Sequence, residues 1–66
     1  MITSDDIGRR VVICAADEFY AYVDGWRGTF MGFHETGTCI VHVPNEMVAC
    51  GYAVYLVPPD QLALSV

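Results

Sequence analysis

The chain contains no lysine. Its only arginines are Arg9, Arg10 and Arg27, set against eight acids: Asp5, Asp6, Asp17, Glu18, Asp24, Glu35, Glu46 and Asp60. The formal net charge is −5 and the isoelectric point about 4.4. A protein that grips phosphates needs a basic patch that releases counterions, and so few arginines do not build one on this background. Direct binding of nucleic acid is therefore not expected, and a protein partner with a basic surface is. Cysteine is sparse and unpaired in pattern. Cys14, Cys39 and Cys50 form no C-x-x-C, and an odd number cannot close into intrachain disulfides. Reduced, buried thiols of a cytoplasmic protein are expected. Long apolar runs are missing as well. The longest uncharged stretch, Met47 to Pro59, is interrupted by Gly51 and Pro58 and falls short of the ~20 residues of a spanning helix, so no membrane partner is expected. The opening Thr3-Ser4-Asp5-Asp6 carries acids where a secretory leader carries basic residues. Gly25, Gly28 and Gly32 lack the Lys-Ser/Thr that completes a phosphate-binding loop.

What is present is apolar. Hydrophobic residues make up 55% of the 66 positions, and the mean hydropathy is +0.41. A chain of this length forms one domain, 1–66, and buries only about 60% of the surface its unfolded form exposes. Small domains offset this with a dense core or a partner. Either the core is rich or some apolar surface faces another molecule, which makes a homodimer or larger assembly the second functional expectation.

The pattern is mostly β. Thr3 to Ile7 suits a short capped helical turn stopped by Gly8. Val11 to Cys14 is a β-branched first strand. Residues 15–23 read equally as helical turn, strand or loop, and are expected to form a long excursion that packs its aromatics down. Asp24-Gly25 is a turn. Arg27 to Phe33 is a second strand in which Phe30 and Phe33 break alternation, and Gly32 permits a β-bulge that restores it. Glu35-Thr36-Gly37 closes a hairpin to Thr38–Val43, and Pro44-Asn45 ends that strand. Tyr52 to Val57 is a fourth strand, Pro58 to Gln61 a 3-10 turn, and Leu62, Leu64 and Val66 alternate as a last strand. The expected core is Val11, Ile13, Phe30, Val41, Val54 and Leu62.

Short strands joined by tight turns favour a small five-stranded barrel, because closure removes exposed edges. The segments Gly8-Arg9-Arg10-Val11-Val12-Ile13, Asp24-Gly25-Trp26-Arg27-Gly28-Thr29-Phe30-Met31-Gly32-Phe33 and Gly37-Thr38-Cys39-Ile40-Val41-His42-Val43 resemble the bacterial SH3-like barrel pattern, KOW-type domains included. The ending Leu56-Val57-Pro58-Pro59-Asp60-Gln61-Leu62 is similar to the strand, 3-10 turn, strand close of those folds. The resemblance implies a fold. It also keeps a KOW-like RNA- or ribosome-associated role as an alternative, which the charge opposes.

No constellation carries catalysis. Cys39 and His42 have ligand-like spacing, but residues three apart on a strand point to opposite faces, so no metal site is expected and Cys39 is assigned to the core. An acidic domain does not activate a thiol, and adjacent Asp17 and Glu18 diverge, so a non-enzymatic protein without cofactor is expected. The aromatics are more suggestive. Phe19, Tyr20, Tyr22 and Trp26 crowd one segment among Asp17, Glu18 and Asp24. Phe19 is assigned to the core. Tyr and Trp anchor interfaces with a polar tip left wet. Asp17, Glu18, Asp24 and Glu35, with Tyr22 and Trp26 as anchors, are therefore the candidate partner-binding residues. An inhibitor or adaptor that occupies the basic, nucleic-acid-binding groove of a partner is the expected function. In size and charge the chain is similar to phage-encoded acidic inhibitors, including DNA-mimicking anti-CRISPR proteins.

The charge balance generates a first prediction. A gel-shift titration near physiological salt will show no complex with duplex DNA or RNA, and a micromolar complex would restore the KOW-like role.

Overall fold

The computed structural model describes residues 2–65, so the expected strand position Val66 lies outside the described residues. Five antiparallel strands form one sheet: β1 Arg10–Ile13, β2 Arg27–Phe33, β3 Cys39–Pro44, β4 Tyr52–Val57 and β5 Leu62–Leu64, in the order β4-β3-β2-β1-β5. Three short 3-10 turns at Ser4–Asp6, Ala21–Val23 and Pro59–Gln61 complete the described residues. No helix among them is long and apolar enough to cross a membrane. The expected closure is not made by a ladder: β4 and β5 are the two edges of an open sheet among the described residues.

The ladder explains where the strands stop. Thr29 pairs with His42, and the next β3 residue able to exchange hydrogen bonds with β2 is Pro44, which has no N–H. Pairing of β2 with β3 ends there, although β2 continues back to Arg27 along β1. Between Phe30 and Gly32 the register shifts by a bulge, with Gly32 at φ 131°, a backbone state that disfavours any side chain. The bulge puts Phe33 opposite buried Cys39 and its ring meets Phe30 edge-on at 5.3 Å, but at the last position of β2 Phe33 stays 43% exposed, so the expected return to the core is incomplete. Gly28 serves a different purpose. A Cβ there would lie 2.6 Å from the His42 carbonyl oxygen and 2.8 Å from Val41 Cγ1, so only glycine lets the strands approach this closely.

The inner face buries Val11, Ile13, Phe30, Cys39, Val41, Val57 and Leu62, joined by Val23 from the segment between β1 and β2 and by Ile2. Two expected core residues lie elsewhere. Val54 is 54% exposed, because the pairing of Cys39 with Val57 turns Ala53, Tyr55 and Val57 inward and Tyr52, Val54 and Leu56 outward. Phe19 is 73% exposed. Side chains three apart superpose along a 3-10 turn, so Tyr20 and Val23 go in together while Phe19 and Tyr22 go out together.

The cysteines divide. Cys39 is buried, and burial pushes its thiol up from the ordinary value. Cys14 and Cys50, expected buried, are exposed. Cys14 follows inward Ile13 and so faces out, and Cys50 lies in the β3–β4 turn with its thiol donating to the Tyr52 carbonyl at 3.2 Å. All three are free thiols.

The N-terminal turn is held by Asp6. The Thr3 N–H donates to its carboxylate at 2.9 Å and Arg9 approaches at 3.3 Å, which lowers the Asp6 pKa. A carboxyl depressed on folding contributes its full stability above its unfolded pKa, and this turn loosens as the pH falls below that value and through the lower folded pKa.

Two outcomes follow from this packing. Val41→Asp will abolish cooperative folding, since it buries a charge at the centre of the inner face. Gly28→Ala will lower stability in chemical denaturation by about 1–3 kcal/mol, through overpacking against backbone. An unchanged midpoint for Gly28→Ala would contradict the close approach of β2 and β3.

Candidate functional site

The segment between β1 and β2 is a built excursion. Its neck is closed where the Gly25 N–H donates to the Ile13 carbonyl at 2.8 Å and the Ala15 N–H to Asp24 Oδ1 at 2.9 Å. Its start is tied to the far end of the chain. The Ala16 N–H donates to Gln61 Oε1 at 3.0 Å, and Gln61 Nε2 donates to Asp17 Oδ2 at 3.0 Å. Asp17 Oδ1 also accepts the Tyr20 N–H at 3.2 Å, which starts the turn carrying Tyr20 and Val23 into the core. Gln61 is the one buried polar side chain among the described residues, and both ends of its amide are satisfied.

Three of the expected binding residues come together. Asp17, Glu18 and Asp24 line a shallow depression of about 350 Å³ floored by Ala15, Ala16 and Ala21. The carboxylates of Asp17 and Asp24 are partly committed to the hydrogen bonds above, whereas Glu18 accepts none among the described residues. The two anchors form a second feature. Tyr22 and Trp26 both meet Tyr55 of β4 edge-on, with ring centroids 6.4 and 5.8 Å apart. They remain 65% and 41% exposed, so neither is a core residue. Beside them a groove of about 310 Å³ runs between Trp26 and Tyr55, bordered by Pro44 and Asn45.

Glu35 does not join this group. It sits on the β2–β3 turn, exposed, where His34, Thr36 and Thr38 bind one another. The whole of β2 separates it from Trp26, a span of up to about 20 Å at the usual strand rise. Tyr55, Asn45 and Gln61 belong to the site and were not singled out from the sequence. Tyr55 sits in a strand where both faces are apolar, so its direction follows only from the β3–β4 register.

The cations lie on another face. Arg10 and Arg27 flank Thr29 on the outer side of β1 and β2, and Arg9 pairs with Asp6. His42 stacks on Tyr52 at 4.2 Å on that outer side, while Cys39 points inward. The expected opposition of these two side chains is therefore observed.

Comparison with protein-family models, curated proteins and solved structures finds no match to the chain.

Removing the Asp17 carboxylate will leave the Tyr20 N–H and buried Gln61 Nε2 without acceptors. Asp17→Ala is expected to cost about 1–3 kcal/mol in thermal or chemical unfolding. Glu18→Ala, one residue along, is expected to cost nothing measurable, and equal effects of the two would contradict the anchoring role of Asp17.

Proposed function

We propose that the protein is a non-enzymatic binding module whose excursion presents an acidic and aromatic face to a basic protein surface, such as a groove that otherwise holds nucleic acid. The observation that carries this reading is the convergence of Asp17, Glu18 and Asp24 on one depression, in the same excursion that leaves Tyr22 and Trp26 half exposed against Tyr55. The carboxylates supply charge complementarity and fast, salt-sensitive association. The aromatic rings supply apolar area at small entropic cost, because Tyr55 and the core already hold the excursion. In this role the protein acts as an inhibitor or adaptor, as acidic nucleic-acid mimics do. An SH3-like, partly open barrel is the fold reading that accompanies it. The β2–β3–β4 meander, the return of β5 to β1 and the 3-10 turn between β4 and β5 support that reading.

The test separates charge from fold. Glu18→Gln with Asp24→Asn removes two charges and retains the oxygen that caps Ala15. Asp17 is left in place, since both its oxygens are used. Against a partner captured from the host, the double variant should melt like the wild type, associate more slowly and lose part of its salt dependence. Trp26→Ala should stay folded and weaken binding by ~2 kcal/mol through faster dissociation. Unchanged kinetics and salt dependence in the double variant would exclude the acidic face.

A further inference from the structure

Strand β4 is an edge without the usual protection. Natural edge strands carry lysine, proline, inward charges or bulges that stop them from pairing with another chain. Tyr52–Val57 carries none of these: it is six residues long, uncharged, regular in register along its whole length, and rich in β-forming side chains.

The backbone groups it offers can be named. In an antiparallel ladder, residues alternate between those that exchange hydrogen bonds with the neighbour and those whose N–H and C=O point away. The Asn45 N–H donates to the Gly51 carbonyl at 3.0 Å, which fixes the phase. Ala53, Tyr55 and Val57 therefore bond to β3, and Tyr52, Val54 and Leu56 direct their N–H and C=O groups to the free side. Among the described residues the only further contact to these groups is the Cys50 thiol on the Tyr52 carbonyl, which keeps a second lone pair. The same three residues expose their side chains on the outer face.

We infer that β4 pairs with β4 of a second copy across a two-fold axis. The strand is its own complement. With Val54 opposite Val54 of the second copy, Tyr52 lies opposite Leu56 and Leu56 opposite Tyr52, and every pair uses its outward groups to exchange both hydrogen bonds. The exposed valines meet at the axis and each tyrosine ring covers a leucine, the kind of cross-strand pair that stabilises a sheet. Charge does not oppose pairing along this edge. Each copy carries −5, yet no charged residue lies between Glu46 and Asp60, so the two strands meet without placing like charges opposite one another. The pairing joins the sheets of the two copies into one. This inference does not rest on the proposed binding function, and the two respond oppositely to salt. Screening of the net charge strengthens the pairing of two copies, whereas it weakens the grip of acids on a basic partner.

Sedimentation of the full chain over a concentration series, at low and high salt, tests the inference. The expected result is a reversible monomer–dimer equilibrium that shifts toward dimer as salt rises. Hydrogen exchange of the Tyr52, Val54 and Leu56 amides should slow as the dimer forms. Val54→Pro removes an N–H that β3 does not use, so it should fold and sediment as a monomer. Should Val54→Pro fail to fold, Val54→Lys serves instead, because it keeps the ladder and places like charges at the axis. A wild-type chain that stays monomeric at every concentration overturns the inference, and so does a dimer that survives whichever of the two variants folds.

Discussion

The side chain of Gln61 ties the excursion between β1 and β2 to the end of the sheet. The sheet is open between β4 and β5, and the excursion between β1 and β2 supplies Val23 and Tyr20 to the core. An excursion of this length costs chain entropy to order, roughly 1–2 kcal/mol per residue for backbone alone. Gln61 offsets part of that cost by fixing the first residues of the loop, accepting from Ala16 and donating to Asp17. Because Gln61 sits in the 3-10 turn before β5, and β5 pairs with β1, the two ends of the chain's topology are tied at one buried amide. The position of Asp17 in the acidic depression depends on that link.

The acids are consequently of two kinds. Asp17 and Asp24 shape the excursion by accepting backbone and amide hydrogens, and still present negative charge. Glu18, Glu35 and Glu46 are exposed and their carboxylates accept no hydrogen bond among the described residues. A surface charge count treats all of these alike. The structure separates those whose replacement disturbs the fold from those whose replacement disturbs only the field around it. Arg10 and Arg27 flank Thr29 on the outer face of the sheet and line a different depression from Asp17, Glu18 and Asp24, whereas Arg9 pairs with Asp6.

Much of the architecture was legible in the residues. β3 ends at Pro44 before Asn45 and β4 ends before Pro58, the bulge falls beside Gly32, and the last 3-10 turn begins after Pro58. Parity was legible only where one face is polar. In β3 the alternation of Cys39, Val41 and Val43 with His42 points the strand correctly. In β4 every residue is apolar, so nothing local distinguishes Val54 from Tyr55, and only pairing with β3 decides. The excursion failed for a related reason. Phe19, Tyr20, Tyr22 and Val23 are all able to fill a core, and the three-residue period of a 3-10 turn, which selects Tyr20 and Val23, cannot be read without knowing that the turn is there. Tertiary contacts also brought Gln61 and Tyr55 to the site, and no spacing announces either. The separation of Glu35 from the other acids is a matter of strand length and connectivity.

We propose that residues 15–26, together with Tyr55, form the face that meets a basic partner. Amide chemical-shift mapping of the isotopically labelled protein, titrated with an arginine-rich peptide as a stand-in for a basic surface, addresses this directly. Shifts are expected to concentrate on residues 15–26 and on Tyr55, fading as salt is raised. Shifts that concentrate on the hairpin around Glu35 or on the outer face of β4, with residues 15–26 unmoved, would contradict it.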